Sequence, residues 1–202
     1  VRKIAIRKAN RPNPFPGGAA VSYIPLILVV GVLAWFVAAY NKLVRLRNQV
    51  RNAWKQIDVQ LKRRHDLIPN LVEVVKDYMS YEQETLTKVI EARGAAVSAR
   101  GTAAQAKAEN VLTESLKSLF AVVENYPDLK ANQNVSSLQE ELTGTENKIS
   151  FARQFYNDSV MTFNNTIQAI PSNMVASLFN FTQEPYFEAE AADREVPKAS
   201  LR

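Results

Sequence analysis

RRHDLIPNLVEVV, residues 63–75, holds the only histidine of the chain, His65, and places Pro69 inside what otherwise reads as one very long helix. Three structures compete for it: a catalytic or metal-binding corner, a turn between two helices, or a bend built into a rod. Pro69 lacks an amide and crowds the carbonyl four residues back, which is that of His65. Asp66 is placed to cap freed amides ahead of a new helix, with Pro69 tolerated in the first turn. A full reversal normally uses glycine or a polar loop, and this stretch has neither. The apolar pattern also resumes at once beyond the proline. A kink or tight helix break at His65, Asp66 and Pro69 is therefore expected in preference to a hairpin.

On the N-terminal side of this stretch, Leu43, Leu46, Val50, Ala53 or Trp54, Ile57 and Leu61 recur in steps of three and four, a helix stripe close to a coiled-coil heptad. On the C-terminal side the stripe resumes at Leu67, Leu71, Val74 or Val75, Tyr78, Leu86 and Val89 or Ile90. GAAVSARGTAAQAKA, residues 94–108, reads as a helix end, a connection and the start of another helix. That helix carries Val111, Leu112, Leu116, Leu119, Phe120 and Val123 and stops near Tyr126, because Pro127 pushes the preceding residue out of the helical region. A polar loop, PDLKANQNV, follows. Ser137 and Glu140 form a capping-box pattern that opens a last long helix, with Leu138, Leu142, Ile149, Ala152, Val160, Phe163 and Ile167 on its stripe and Pro171 at its end. Gly144 costs that helix about 1 kcal/mol. SNMVASLFNF, residues 172–181, adds a short amphipathic element with Phe179 and Phe181 as packing anchors. No run reads as a strand, and glycine is scarce, so the expected fold is all-α.

From Gly17 to Tyr40 the chain carries no charge. As a helix these residues span about 36 Å, enough for a hydrocarbon core of about 30 Å. Tyr23 at one end and Trp35, Phe36 and Tyr40 at the other suit an interfacial aromatic belt. A cleaved signal peptide is the rival reading, but the apolar region is too long for one and runs straight into a helical pattern. The expected organisation is a basic, proline-containing arm over 1–18, a single transmembrane helix over 19–40, a bundle of long antiparallel helices over 41–181, and an acidic, flexible tail over 182–202.

The net charge of +5 conceals an asymmetry. Residues 41–66 carry eight basic side chains against Asp58 and Asp66, whereas residues 67–202 carry twelve against eighteen acids. A nucleic-acid binder would be basic on one continuous face; here positive charge flanks an apolar span. Within about fifteen residues of the span, Lys42, Arg45, Arg47, Arg51 and Lys55 outnumber Arg7, Lys8 and Arg11. The balance favours a cytoplasmic bundle. Cysteine is absent, which removes disulfides and thiolate metal sites.

His65 beside Asp66 has the composition of a general base with an orienting carboxylate, but no nucleophile pattern or second histidine accompanies it. A structural role is expected, with no catalytic, metal or cofactor residues. Lys42, Arg45 and Arg47 lie close enough to the span to meet anionic lipid, at about 1 kcal/mol each. Lys62, Arg63 and Arg64 lie about 30 Å further along an upright helix, beyond a screening length of about 8 Å. A solvated face is the plain explanation for them. The sharper one is an interaction patch for acidic residues of the tail, of a neighbouring subunit or of a partner. Arg153, Tyr156 and Asn157 are expected to fix register at a bundle seam, with Arg153 reaching across to Glu73, Asp77 or another acid.

The span followed by YNKLVRLRNQV, then RRHDLIPNLVEVV, NYPDLKANQNVSSLQEELTGTENKISFARQFYND and IPSNMVASLFNF, closely resembles the bacterial LemA family from about Tyr40 to Pro197. The N-terminal arm is longer and more basic than the short one typical of the family. The resemblance implies a helical bundle behind an N-terminal membrane helix, with the bundle in the cytoplasm at the bacterial inner membrane. It implies no assigned enzymatic activity and no catalytic residues, and, by gene neighbourhood alone, a link to membrane proteases of the envelope. The expected function is a self-associating, membrane-tethered scaffold of the cell envelope that is not an enzyme. The alternatives are an accessory or regulator of an envelope protease, and a membrane-organising protein binding anionic lipid through residues 1–11 and 42–55.

Overall fold

A computed structural model describes residues 19–79 and 81–187, with side chains from residue 23 onward. The arm over 1–18 and the tail beyond 187 lie outside the described residues. The order of elements is α1 (Ala19–Val75), α2 (Gln83–Ser98), α3 (Thr102–Val123), α4 (Pro127–Ala131), α5 (Gln133–Gln168) and α6 (Ser172–Leu178). Among the described residues there is no strand. The fold is all-α, a helix bundle behind one long apolar helix, as expected.

α1 has 57 residues and contains both Pro25 and Pro69, so it is about 85 Å long. The expected break at His65, Asp66 and Pro69 is not a helix end: α1 runs through it. Asp66 is exposed within the helix and caps nothing there. The chain instead reverses over residues 76–82, where no glycine or proline marks a turn. Met79 anchors that reversal, fully buried, with its amide donating to Val75 O at 3.1 Å and its carbonyl accepting from Glu82 N at 3.1 Å.

The buried stripe of α1 is Leu43, Val50, Ala53, Ile57 and Leu61, then Ile68, Leu71 and Val75. On either side of Pro69 it lies one residue later than expected: Ile68 is buried in place of Leu67 before it, and Met79 in place of Tyr78, which is exposed, after it. α2 and α3 are joined through Gly101 at φ +83°, a left-handed conformation that costs glycine little. The polar loop after Pro127 contains α4, with the proline in its first turn. Asn132 Oδ1 then accepts from Asn134 N at 2.9 Å and Val135 N at 3.4 Å. That cap starts α5 before the expected capping box, so Ser137 and Glu140 lie inside the helix.

α5 lies along α1, and two apolar clusters are stacked along the pair. The cluster nearer the apolar end of α1 joins Leu43, Val50 and Ile57 to Ile149, Tyr156, Phe163, Val175 and Phe181. The distal cluster joins Ile68, Leu71 and Val75 to Leu86, Val89, Leu112, Leu119 and Leu142. Each fully buried large aliphatic side chain contributes about 1.5–3 kcal/mol. Toward the apolar end of α1 the core takes only Ala106 from α3 and no buried residue from α2. The space is filled by α6 and by residues 181–187, which run extended along α1 and α5 with Phe181 and Phe187 buried. Residues 182–187 therefore belong to the packed bundle and not to a flexible tail.

Candidate functional site

Between the two apolar clusters lies a polar layer. Arg64 is 1% exposed and Glu109 is 0% exposed. Arg64 Nη1 meets Glu146 Oε2 at 3.0 Å and Glu109 Oε2 at 3.5 Å, and its Nη2 donates to Thr113 Oγ1 at 2.8 Å. Glu109 Oε1 accepts from His65 Nε2 at 2.8 Å and from Gln105 Nε2 at 2.9 Å. α1, α3 and α5 thus converge on one ion cluster. Burial lowers the Arg64 guanidinium from its ordinary value, while Glu146 and Glu109 pull it back up. Arginine keeps its charge under such opposing influences. Removing one partner of such a group leaves a buried charge uncompensated, at about 3–5 kcal/mol.

Heptad spacing explains why the layer sits here. Ile57, Leu61, Arg64, Ile68, Leu71 and Val75 follow steps of four and three, so Arg64 occupies a buried stripe position. Glu109 does so between Ala106 and Leu112, and Thr145, also buried, between Leu142 and Ile149. The three basic residues treated together as an interaction patch therefore separate. Lys62 is exposed. Arg63 meets Glu141 at 3.4 Å, both half-exposed, a pair worth about 0–1 kcal/mol. Arg64 is interior and unavailable to a partner. The acids that meet Arg63 and Arg64 come from α3 and α5.

His65 turns to Glu109 and not to its neighbour Asp66. Its carbonyl is the one that Pro69 deprives of an amide, and Arg93 Nε of α2 donates to it at 2.7 Å. A tertiary hydrogen bond thus replaces the missing helical one. Both oxygens of Glu109 are engaged, Oε1 by His65 and Gln105 and Oε2 by Arg64. Among the described residues no group of three or more His, Cys, Asp or Glu side chains could hold a metal.

Arg153, Tyr156 and Asn157 hold the C-terminal segment. Asn157 Nδ2 donates to Phe187 O at 3.0 Å and its Oδ1 accepts from Phe187 N at 2.8 Å. Asn164 repeats the pattern with Glu184 O and Glu184 N, both at 2.9 Å. Tyr156 OH donates to Pro185 O at 2.8 Å between them. Seven helical residues rise about 10.5 Å and three extended ones about 10 Å, so the two side-chain amides match the backbone of the segment as a neighbouring strand would. Burial raises the Tyr156 phenol above its ordinary value, opposed by a hydrogen bond with Thr102 and reinforced by Glu184. The Arg153 guanidinium lies 4.6 Å from the Phe187 ring centre, and the Trp54 ring centre lies 6.0 Å from that of Phe187. Glu73 and Asp77, the acids suggested for Arg153, sit at the opposite, distal end of α1 and in the turn just beyond it.

Of the basic residues nearest the span, Lys42 and Arg45 are exposed, whereas Arg47 lies over the Phe181 ring at 4.8 Å. The role of residues 184–187 as the backbone partner of Asn157 and Asn164 was missed by sequence reasoning. The available signal was the seven-residue spacing of Asn157 and Asn164 on one side of α5.

The family model described as the LemA family matches residues 53–200. Protein LemA of Metamycoplasma hominis is 26% identical over 195 residues, covering 94% of this chain and 89% of that protein. Magnetosome protein MamQ 2 of Paramagnetospirillum magneticum is 23% identical over 199 residues, covering 86% of this chain and 73% of its own length. Magnetosome protein MamQ of Magnetospirillum gryphiswaldense is 20% identical over 195 residues, covering 84% and 72%. With a family match across well over half its length, on a helical bundle behind an apolar helix, the chain belongs to the LemA family.

Proposed function

We propose that the protein is a self-associating, membrane-tethered helical scaffold without catalytic activity of its own. The observation that carries this reading is that one helix, α1, is apolar and exposed from Tyr23 to Val37 and is then a wall of the bundle. Tether and scaffold are a single rigid element. The names of the family and of the relatives denote no enzyme, which supports the non-catalytic reading. The membrane is taken as the bacterial inner membrane with the bundle in the cytoplasm, because Lys42, Arg45, Arg51 and Lys55 put the larger positive charge on that flank.

Self-association is assigned to the flank of α5 opposite the one that holds residues 184–187. There Phe151, 72% exposed, lies with Phe155 and Val59 between Lys55 and Lys148. An apolar patch with a charged rim is the composition of a protein interface. The test uses the full chain in nanodiscs, with Phe151→Cys as the only cysteine. Oxidative crosslinking between copies, and a shift to monomers on Phe151→Glu, are expected. Isolated monomers that neither crosslink nor co-purify with a membrane protein would overturn the scaffold reading.

A further inference from the structure

Near the membrane the bundle ends in an unusual stretch. Between Asp158 and Glu184 there is no charged residue. It comprises the last ten residues of α5, the turn at Ile170 and Pro171, and α6. Ile170 is 85% exposed, Met174 70% and Leu178 65%. Met174 and Leu178, four apart, share one outward face of α6 and Ile170 is exposed in the turn before it, while Val175 and Ala176 on the other side of α6 are buried in the membrane-proximal core. A row of large apolar side chains facing water is costly, and on a soluble surface it would mark a binding face.

The height of this row along α1 identifies what covers it. Phe179, directly after α6, has its ring centre 4.6 Å from that of Tyr40 and 6.0 Å from that of Phe36. Phe36 lies within the charge-free run that ends at Tyr40, and the first charge beyond it is Lys42, about 9 Å further along the helix axis. A hydrocarbon core of about 30 Å takes up about 20 residues, which, counted from the start of α1 at Ala19, brings its boundary to about Ala38, between Phe36 and Tyr40. Since α1 is unbroken, Phe179 and the row beside it are carried to that same boundary.

We propose that the α5–α6 corner is a second membrane contact, with Ile170, Met174 and Leu178 inserted among the lipids beside the span. This rests on α1 being the membrane span and adds to it a seat that fixes the bundle's tilt. The occupant is the bilayer and not a second copy, because the tether holds the row at lipid height and the surrounding stretch carries no charge to desolvate. An apolar face lying in the interfacial plane needs no transmembrane length to bind.

The test uses full-length protein in vesicles of zwitterionic and anionic lipid, with single cysteines at Met174→Cys, Leu178→Cys, Met161→Cys and Val30→Cys, each carrying an environment-sensitive fluorophore. Labels at 174 and 178 are expected to shift to the blue and lose emission to nitroxide-bearing lipids, while the label at 161 is quenched only by aqueous iodide. Quenching of 174 and 178 by iodide alone would overturn the proposal. So would labels that neither quencher reaches and that self-quench between copies, since the face would then meet protein. The label at 30 reports the span separately, so failure of the anchor and failure of the corner are distinguishable.

Discussion

At the level of single residues, the question posed by Pro69 is answered by a side chain 24 positions later in the chain. A proline inside a helix leaves a carbonyl without its amide and is destabilising by about 3 kcal/mol in an isolated helix. Here the carbonyl of His65 accepts from Arg93 Nε, so the helix continues and α2 is drawn against α1 at that turn. The two residues should therefore be energetically coupled. Arg93→Ala alone is expected to destabilise the full chain by about 1.5–3 kcal/mol, the range for a hydrogen bond with a charged donor. Pro69→Ala restores an amide to His65 O, and in that background the same Arg93→Ala change should cost less than about 1 kcal/mol. Denaturation of the four proteins of the cycle, followed by circular dichroism in detergent, measures the coupling. Strictly additive losses would show that Arg93 acts elsewhere.

At the level of elements, the helices were legible in the sequence wherever a heptad stripe ran uninterrupted, and errors arose where a polar residue occupied it. Arg64 follows Leu61 and precedes Ile68 at core spacing, yet a charge in a run of basic residues reads as solvated. Its burial depends on Glu109 and Glu146, which lie far away in sequence. The reversal at residues 76–82 was hidden because Met79, rather than glycine or proline, makes it. The seating of residues 181–187 was hidden for a third reason: an extended segment has no helical period, and its hydrogen bonds come from side chains of α5. Asn157 and Asn164 each supply one donor and one acceptor to that segment, a pairing that aspartate cannot reproduce because a carboxylate only accepts. Asn164→Asp and Asn157→Asp are each expected to cost about 1–3 kcal/mol locally. The readout is amide hydrogen exchange at Glu184 and Phe187, which should quicken markedly while exchange in α2 and α3 stays unchanged. Unaltered protection at both amides would mean that Phe181 and Phe187 alone hold the segment.

At the level of the molecule, the continuity of α1 couples its apolar N-terminal segment mechanically to the bundle. In a protein tethered by a flexible linker, span and domain are independent, and residues inserted between them have little effect at any length. Here Phe36 and Tyr40 on the span side pack against Phe179 and Phe181 on the bundle side, so rotation of one relative to the other breaks contacts. Two alanines inserted after Tyr40 turn the span by about 200°, whereas four turn it by about 400°, a net offset of about 40°. After the four-residue insertion Tyr40 also takes the former position of Phe36 opposite Phe179. Amide exchange over residues 175–187 in nanodiscs should therefore accelerate strongly with two alanines and only modestly with four. That dependence on helical phase is the signature of an unbroken rod. Equal responses to the two insertions would mean that span and bundle are mechanically uncoupled, and that the bundle's tilt is set by something other than α1.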